Sequence, residues 1–276
     1  MTRAGDAYFG LTRRLAASPS ADLDAELLLA HVLRCGRAAL AAAPERELSD
    51  AEARALAELA VRRCAGEPVA YLTGRRAFWT LDLEVTPEVL VPRPETELLV
   101  ETALGELRTV ARPAVLDLGT GSGAIALAIA SERPDASVTA VDQSAAALEV
   151  AARNAFRLRI GNVRFLQGSW YEPVDALKFH VIIANPPSVA EGDPLLAALA
   201  HEPRPALVSG PEGLDALAEI CRGARQHLAA GGILIVEHGA SQGGAVRAMV
   251  TGAGLGRVAT LNDLAGLPRA TRGNAD

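Results

Sequence analysis

Apolar residues follow three patterns along this chain, and each predicts a different kind of element. Up to about residue 75 they recur at helical spacing. Leu23, Leu27 and Ala30 stand at i, i+4 and i+7, one face of a helix that Asp22 is placed to cap. Ser49-Asp50-Ala51-Glu52 reads as a capping box ahead of Leu56, Leu59 and Ala60. The stretch from Gly66 to Gly74 is turn-rich. Ala77-Phe78-Trp79 with Leu81, Leu83 and Val85 then alternates like a β-hairpin. Between Val89 and Glu97 two prolines flank Arg93, which makes the segment stiff and extended, with a helix starting at Glu95.

Beyond Pro113 the apolar residues form short unbroken runs: Ala114–Leu118, Val138–Asp142, Val163–Leu166, Val181–Ala184 and Ile233–Glu237. Such runs are strands buried on both faces. Helical stretches at Ala124–Ala130, Ala145–Leu158 and Leu214–Leu228 alternate with them. Alternation of this kind predicts an α/β fold with a doubly wound parallel sheet that binds ligands at its carboxyl edge. The glycine-rich last forty residues are expected to add a helix and an antiparallel edge pair. The organisation is therefore a small helical domain (residues 1–75), a hairpin and connecting segment (76–112), and an α/β domain (113–276).

Half of the 276 residues are apolar, enough for a sizeable core. A net charge of −6, from 27 basic and 33 acidic residues, offers no general attraction to nucleic acid phosphates. No stretch reaches the ~18 apolar residues of a membrane span, and the N-terminus lacks the apolar core of a signal peptide. Cys35, Cys64 and Cys221 are odd in number and lack metal-ligand spacing, so they are read as reduced thiols of a cytoplasmic protein. His31, His201, His227 and His238 also lack metal spacing, and no metal is expected.

The candidate chemistry lies where strands end. Gly119-Thr120-Gly121-Ser122-Gly123 follows the first buried strand, and a chain without Cβ atoms can pass close to a ligand there. Asp142 closes the next strand, nineteen residues after Gly123, where a carboxylate can hold two ribose hydroxyls. The spacing is G-x-G-x-G rather than the dinucleotide G-x-G-x-x-G. Asp117 beside the loop would repel a pyrophosphate but attract a cationic amino acid moiety. S-adenosylmethionine, which carries a sulfonium and an ammonium and no phosphate, fits these demands. Trp170 follows the third strand, where its ring can stack on adenine. Asn185-Pro186-Pro187-Ser188 ends the run Val181-Ile182-Ile183 in a stiff turn whose carbonyls only accept. Such a corner suits the hydrogens of a planar amino group.

With these residues assembled, the chain resembles the protein-(glutamine-N5) methyltransferases called PrmC or HemK, from about residue 20 to its end. The resemblance rests on Gly66-Glu67-Pro68 through Gly74, Val91-Pro92-Arg93-Pro94-Glu95-Thr96-Glu97, the glycine loop with Asp117, Asn185-Pro186-Pro187, Glu202-Pro203-Arg204-Pro205-Ala206-Leu207, Gly210-Pro211-Glu212-Gly213-Leu214-Asp215 and Glu237-His238-Gly239. It implies a Rossmann-like class I methyltransferase sheet behind a small helical, substrate-recognising domain. It also implies a monomer acting on the Gly-Gly-Gln glutamine of class I peptide-chain release factors. Carried over residue by residue, Gly119, Thr120, Gly121, Ser122, Gly123, Asp142 and Trp170 match the contacts to S-adenosylmethionine. Asn185 matches a residue shared by cofactor and substrate. Asn185 and Pro186 would accept the two hydrogens of the glutamine amide, with Pro187 and Ser188 completing the substrate corner.

Two positions break the family's pattern. The motif usually reads N-P-P-Y, with a ring packed on the substrate amide, and here it ends in Ser188. The preceding strand usually opens Phe-Asp, and here it opens Phe179-His180. Losing the ring implies roughly tenfold in rate or affinity. Three readings therefore stand open: a glutamine methyltransferase on release factors, at full or weakened rate; a homologue that binds cofactor and protein but methylates poorly; and an exocyclic-amine methyltransferase on nucleic acid.

Overall fold

The computed structural model describes residues 2–276, and the chain divides into two compact units after Arg75. The first is helical: α1 (Ala4–Arg14), α2 (Ala21–Val32), α3 (Arg37–Ala42), α4 (Asp50–Cys64) and α5 (Val69–Thr73). The capping box of α4 forms as expected, with Ser49 and Glu52 each accepting the other's backbone N–H. The start of α2 differs. Its N-cap is Ser20 rather than Asp22, because the polar anchor is the buried Asp24, which takes the hydroxyls of Ser18 and Ser20 and the Arg63 guanidinium. Leu23 is exposed, and α2 packs through Ala25, Leu28 and Leu29. The run Leu27–Ala30 is apolar on more than one face, so packing chose the stripe that spacing left open. The turn-rich stretch before Gly74 contains the short helix α5, stopped by Gly74 in the left-handed conformation (φ 70°).

The predicted hairpin is a two-stranded sheet of β1 (Arg75–Phe78) and β2 (Leu81–Glu84). The Pro-Arg-Pro segment lies inside the second unit. Buried Glu202 accepts the Val91 N–H at 3.1 Å and pairs with Arg93, and Arg76 donates to the Pro92 carbonyl. Pro94–Thr96 form one tight turn before α6 (Glu97–Glu106), so the helix begins two residues later than expected.

Thereafter strand and helix alternate: β3 (Ala114–Leu118), α7 (Ala124–Glu132), β4 (Ser137–Asp142), α8 (Ala145–Leu158), β5 (Val163–Gln167), β6 (Phe179–Ala184), the short α9 (Leu195–Ala198), α10 (Asp215–His227), β7 (Leu228–Glu237), α11 (Gly243–Gly252), β8 (Gly256–Asn262) and β9 (Pro268–Asn274). The strands form one sheet in the order β5-β4-β3-β6-β7-β9-β8. It is parallel through β7, and the last two strands run antiparallel. Side chains alternate across it. Val115, Val181, Ile183, Ile233 and Ile235 pack with residues of α6 and α7, while Leu116, Ile182, Ala184, Leu234 and Val236 pack with residues of α10 and α11. Burial on both faces is why these strands read as unbroken apolar runs. The fold class is the one expected from the sequence, a Rossmann-like methyltransferase sheet preceded by helices.

Candidate active site

Strand order decides where the site forms. The chain winds outward from β3 to β4 and β5, then returns to place β6 on the other side of β3. The carboxyl ends of β3 and β6 therefore bound a crevice, the usual ligand position in an open α/β sheet. Register fills it. Leu118 pairs with Val141 on one side and Ala184 on the other, so Gly119, Asp142 and Asn185 emerge side by side. Asp142 pairs with Gln167, which brings up the loop of Gly168 and Trp170. Ala184 pairs with Val236, which sets Glu237 next to Asn185.

The glycine turn is fixed by the end of β4. Gly119 and Thr120 donate to the Val141 carbonyl, Gly121 N–H donates to Asp142 Oδ2 at 2.8 Å, and Ser144 N–H donates to Oδ1 at 2.9 Å. Each Asp142 oxygen keeps lone pairs for further donors. Gly119 and Gly121 have φ of 74° and 55°, and a Cβ on Gly121 would meet only open space. Gly123, at φ 83°, faces the other way, where a Cβ would press on Leu127 and Ala151. Its freedom serves the packing of α7.

A cavity of about 360 Å³ occupies the crevice, within the usual range for a small-molecule site. Gly119, Thr120, Gly121, Ser122, Asp142, Trp170, Asn185 and Pro187 line it. Asp117, Gly123, Pro186 and Ser188 are not part of the lining. Pro186 is buried. Ser188 is held by its backbone, its N–H donating to the Leu207 carbonyl and its carbonyl accepting from Gln242 Nε2. The indole of Trp170 would stand 3.6 Å from a Cβ on Gly119, and its Nε1–H donates to Glu219 at 3.1 Å. The ring is thus held over the glycine turn. His180 accepts the Ala114 N–H on Nδ1 at 3.0 Å, a structural bond at the start of β3.

Asp117 is fully buried. Its Oδ2 accepts from the Thr120 hydroxyl at 2.6 Å and the Ala126 N–H at 3.2 Å, while Oδ1 has no partner. Burial pushes its carboxyl up to about 7, against the pull of those two hydrogen bonds, and Asp142 adds to the rise. Asp142 is itself raised by burial. Among the described residues no lysine or arginine lines the cavity. An uncompensated acidic end suits a cationic ligand and does not suit a phosphate. The open space at Gly121 and the acceptors of Asp142 fit S-adenosylmethionine.

Asn185 Nδ2 donates to Thr96 Oγ1 at 3.1 Å, which leaves Oδ1 as the free end of the carboxamide. Glu237, beside Asn185 at the end of the neighbouring strand, is buried, and burial lifts its carboxyl to about 7. Sequence reasoning assigned neither of these two residues a role, nor one to Gln242 or Glu202. The available signal was weak: Thr96 and Glu237 are polar residues at element ends within stretches singled out for other reasons. Among the described residues no group of three His, Cys, Asp or Glu is placed to hold a metal, and no helix is long and apolar enough to cross a membrane.

Comparisons with known proteins bear on the family and the fold. The family model for the PrmC N-terminal domain matches residues 7–74, and that for the methyltransferase small domain matches residues 94–210. A release factor glutamine methyltransferase of Burkholderia pseudomallei is 51% identical over 268 residues, 94% of each chain. Its namesake in Escherichia coli is 44% identical over 263 residues, again 94% of each. Among solved structures, a methyltransferase from Pyrococcus furiosus superposes with a TM-score of 0.52 at 20% identity, covering 78% of this chain and 96% of that one. A 16S rRNA N2 methyltransferase of T. thermophilus, in complex with AdoMet and guanosine, superposes with a TM-score of 0.57 at 19% identity, covering 73% and 50%. The two structures share the fold.

Proposed function

The chain belongs to the release factor glutamine methyltransferases, and from that premise we propose how its own residues carry the reaction. The substrate is the side-chain amide of the glutamine in a release factor's Gly-Gly-Gln motif, and the product is N5-methylglutamine. S-adenosylmethionine supplies, when bound, a methyl group on a positively charged sulfur. Gly119, Thr120, Gly121 and Ser122 would hold it by their backbone, Asp142 through its ribose and Trp170 through its adenine.

An amide nitrogen is a poor nucleophile, because its lone pair is delocalised into the carbonyl. Asn185 Oδ1 and the Pro186 carbonyl accept its two hydrogens. They aim the nitrogen and stabilise the positive charge that grows on it. The prolines keep the corner rigid, so the acceptors need no reorganisation. No residue acts as general base before transfer. The helical unit up to Arg75 recognises the release factor, and the protein acts as a monomer.

The observation that supports this reading most is the orientation of the Asn185 amide, whose nitrogen is engaged by Thr96 while its oxygen is left as an acceptor beside the cavity. Purified protein is incubated with labelled S-adenosylmethionine and either a release factor or duplex DNA. Label on the Gly-Gly-Gln glutamine is the expected result. Label on DNA, or cofactor binding with no transfer to the factor, overturns the assignment.

A further inference from the structure

Two irregular segments wall the cavity beside the reacting corner. One is the strap between β2 and α6, which contributes Leu90, Pro92 and Thr96 to the lining. The other lies in the connection from β6 to α10 and contributes Pro203, Pro205 and Ala206. Each segment also grips the corner itself. Thr96 accepts the Asn185 Nδ2–H at 3.1 Å. The Leu207 carbonyl accepts the Ser188 N–H at 3.1 Å and the Val189 N–H at 2.9 Å. The corner can be no better placed than these two segments are.

The strap has little of its own to fix it. From Val85 to Arg93 it runs without helix or strand. Pro87, Pro92 and Pro94 have no N–H to offer a neighbour. What ties the strap to the other segment is Glu202, whose Oε2 accepts the Val91 N–H at 3.1 Å and whose Oε1 pairs with the Arg93 guanidinium. Glu202 is 7% exposed and stands immediately before Pro203 of the cavity wall. Arg76 adds a bond to the Pro92 carbonyl at 3.0 Å.

A buried carboxylate is costly even when paired, and apolar packing would join two segments at lower cost. What the carboxylate adds is direction. Its two oxygens accept only donors, at short range and along their lone pairs, so they fix where Val91 and Arg93 stand. We propose that Glu202 is a positioning residue: it clasps the strap to the 203–207 segment and so sets the cavity wall and the bonds that hold Asn185 and Ser188. Its effect on methylation rests on the amide-methylation reading, whereas its effects on the strap and on cofactor binding do not.

The test uses Glu202→Gln, Arg93→Met and Arg93→Lys in the full chain. Glutamine has the same shape, but its NH2 must face one of two donors. The Val91 amide of the cofactor-free protein, followed by NMR, exchanges slowly in the parent. In Glu202→Gln it exchanges about 10- to 150-fold faster, the worth of one hydrogen bond to a charged group. The amides of β3 keep their parent rates. Arg93→Met leaves the Val91 bond in place and accelerates exchange by a smaller factor. Arg93→Lys, which keeps the ion pair, stays close to the parent.

Titration calorimetry then shows S-adenosylmethionine binding about tenfold more weakly to Glu202→Gln. The kcat on the release factor also falls about tenfold, short of the 10²-fold or more that removing an aimed group outright costs. Parent-like Val91 exchange in both Glu202→Gln and Arg93→Met overturns the proposal. So does exchange that rises equally in β3, which marks a merely structural loss. Parent-like cofactor affinity and kcat in Glu202→Gln overturn it as well. If the parent transfers no methyl group to the factor yet the exchange and affinity effects hold, the clasp stands and the substrate reading falls.

Discussion

Replacing Asp117 by asparagine should make the protein more stable. The carboxyl is fully buried, with one oxygen doubly hydrogen-bonded and the other bare. Its pKa rises from an ordinary 3.8 to about 7 in the fold. Between those values the native state keeps a proton that the unfolded chain has released. Stability therefore falls as pH rises through that window. By about pH 8 the loss has a ceiling of about 4 kcal/mol. The substituted carboxamide would carry no charge, and its oxygen can take both existing bonds. Its NH2 would occupy the bare position, a buried unpaired donor that costs about 1–3 kcal/mol. The net gain is about 1–3 kcal/mol at pH 8, or a melting temperature higher by about 3–10 °C for a unit of this size. Near pH 5 the loss is only about 1.6 kcal/mol, which the unpaired NH2 offsets, so the gain should vanish. Calorimetric melting of both proteins at the two pH values measures this difference, and contributions common to both cancel. A variant that melts no higher at pH 8, or a gain as large at pH 5, would refute the reasoning.

Three further outcomes follow from the same geometry. Ser188→Tyr should raise kcat/KM on a release factor by about tenfold, because the turn is held by its backbone and gains a packing ring; an unchanged or lower value removes this account of the position. Gly213→Ala should cost about 2–4 kcal/mol, since its Cβ would fall 2.3 Å from the Ser188 carbonyl oxygen at a φ of 72°; a denaturation midpoint equal to the parent's would show that the two loops yield. Asp142→Ala frees the Gly121 and Ser144 N–H groups along with the ribose acceptors, and should weaken cofactor binding by at least about 10²-fold; fluorescence titration of Trp170 follows it, and parent-like affinity would move the ribose elsewhere.

Much of the site was legible because its residues sit at strand ends, where pattern and chemistry change together. An unbroken apolar run that stops at Asp142, or at Asn185-Pro186-Pro187, declares both a buried strand and an exposed polar terminus. Gly119 and Gly121 are equally open to reading, since close approach to a ligand demands them. Gly123 shows the limit: it has the same spacing and the same positive φ, but its missing Cβ makes room for Leu127 and Ala151. The helical unit shows another. The apolar residues of α2 could form more than one stripe, and the choice fell to Asp24, whose partner Arg63 lies on α4.

The sequence by itself determined the α/β class, the glycine turn, the two carboxylates and the rigid acceptor corner. These depend on periodicity, on glycine and proline geometry, and on residue chemistry within a few positions. Only the tertiary structure decided how the strands are ordered, and with it that Asn185 meets Thr96 and stands beside Glu237. They are separated by 89 and 52 positions, and no local rule links them. Parallel register does, because it sets the ends of β6 and β7 side by side and hangs α6 over one face. Whether a carboxamide offers its oxygen or its nitrogen is a matter of who stands behind it, and that is a property of the folded chain.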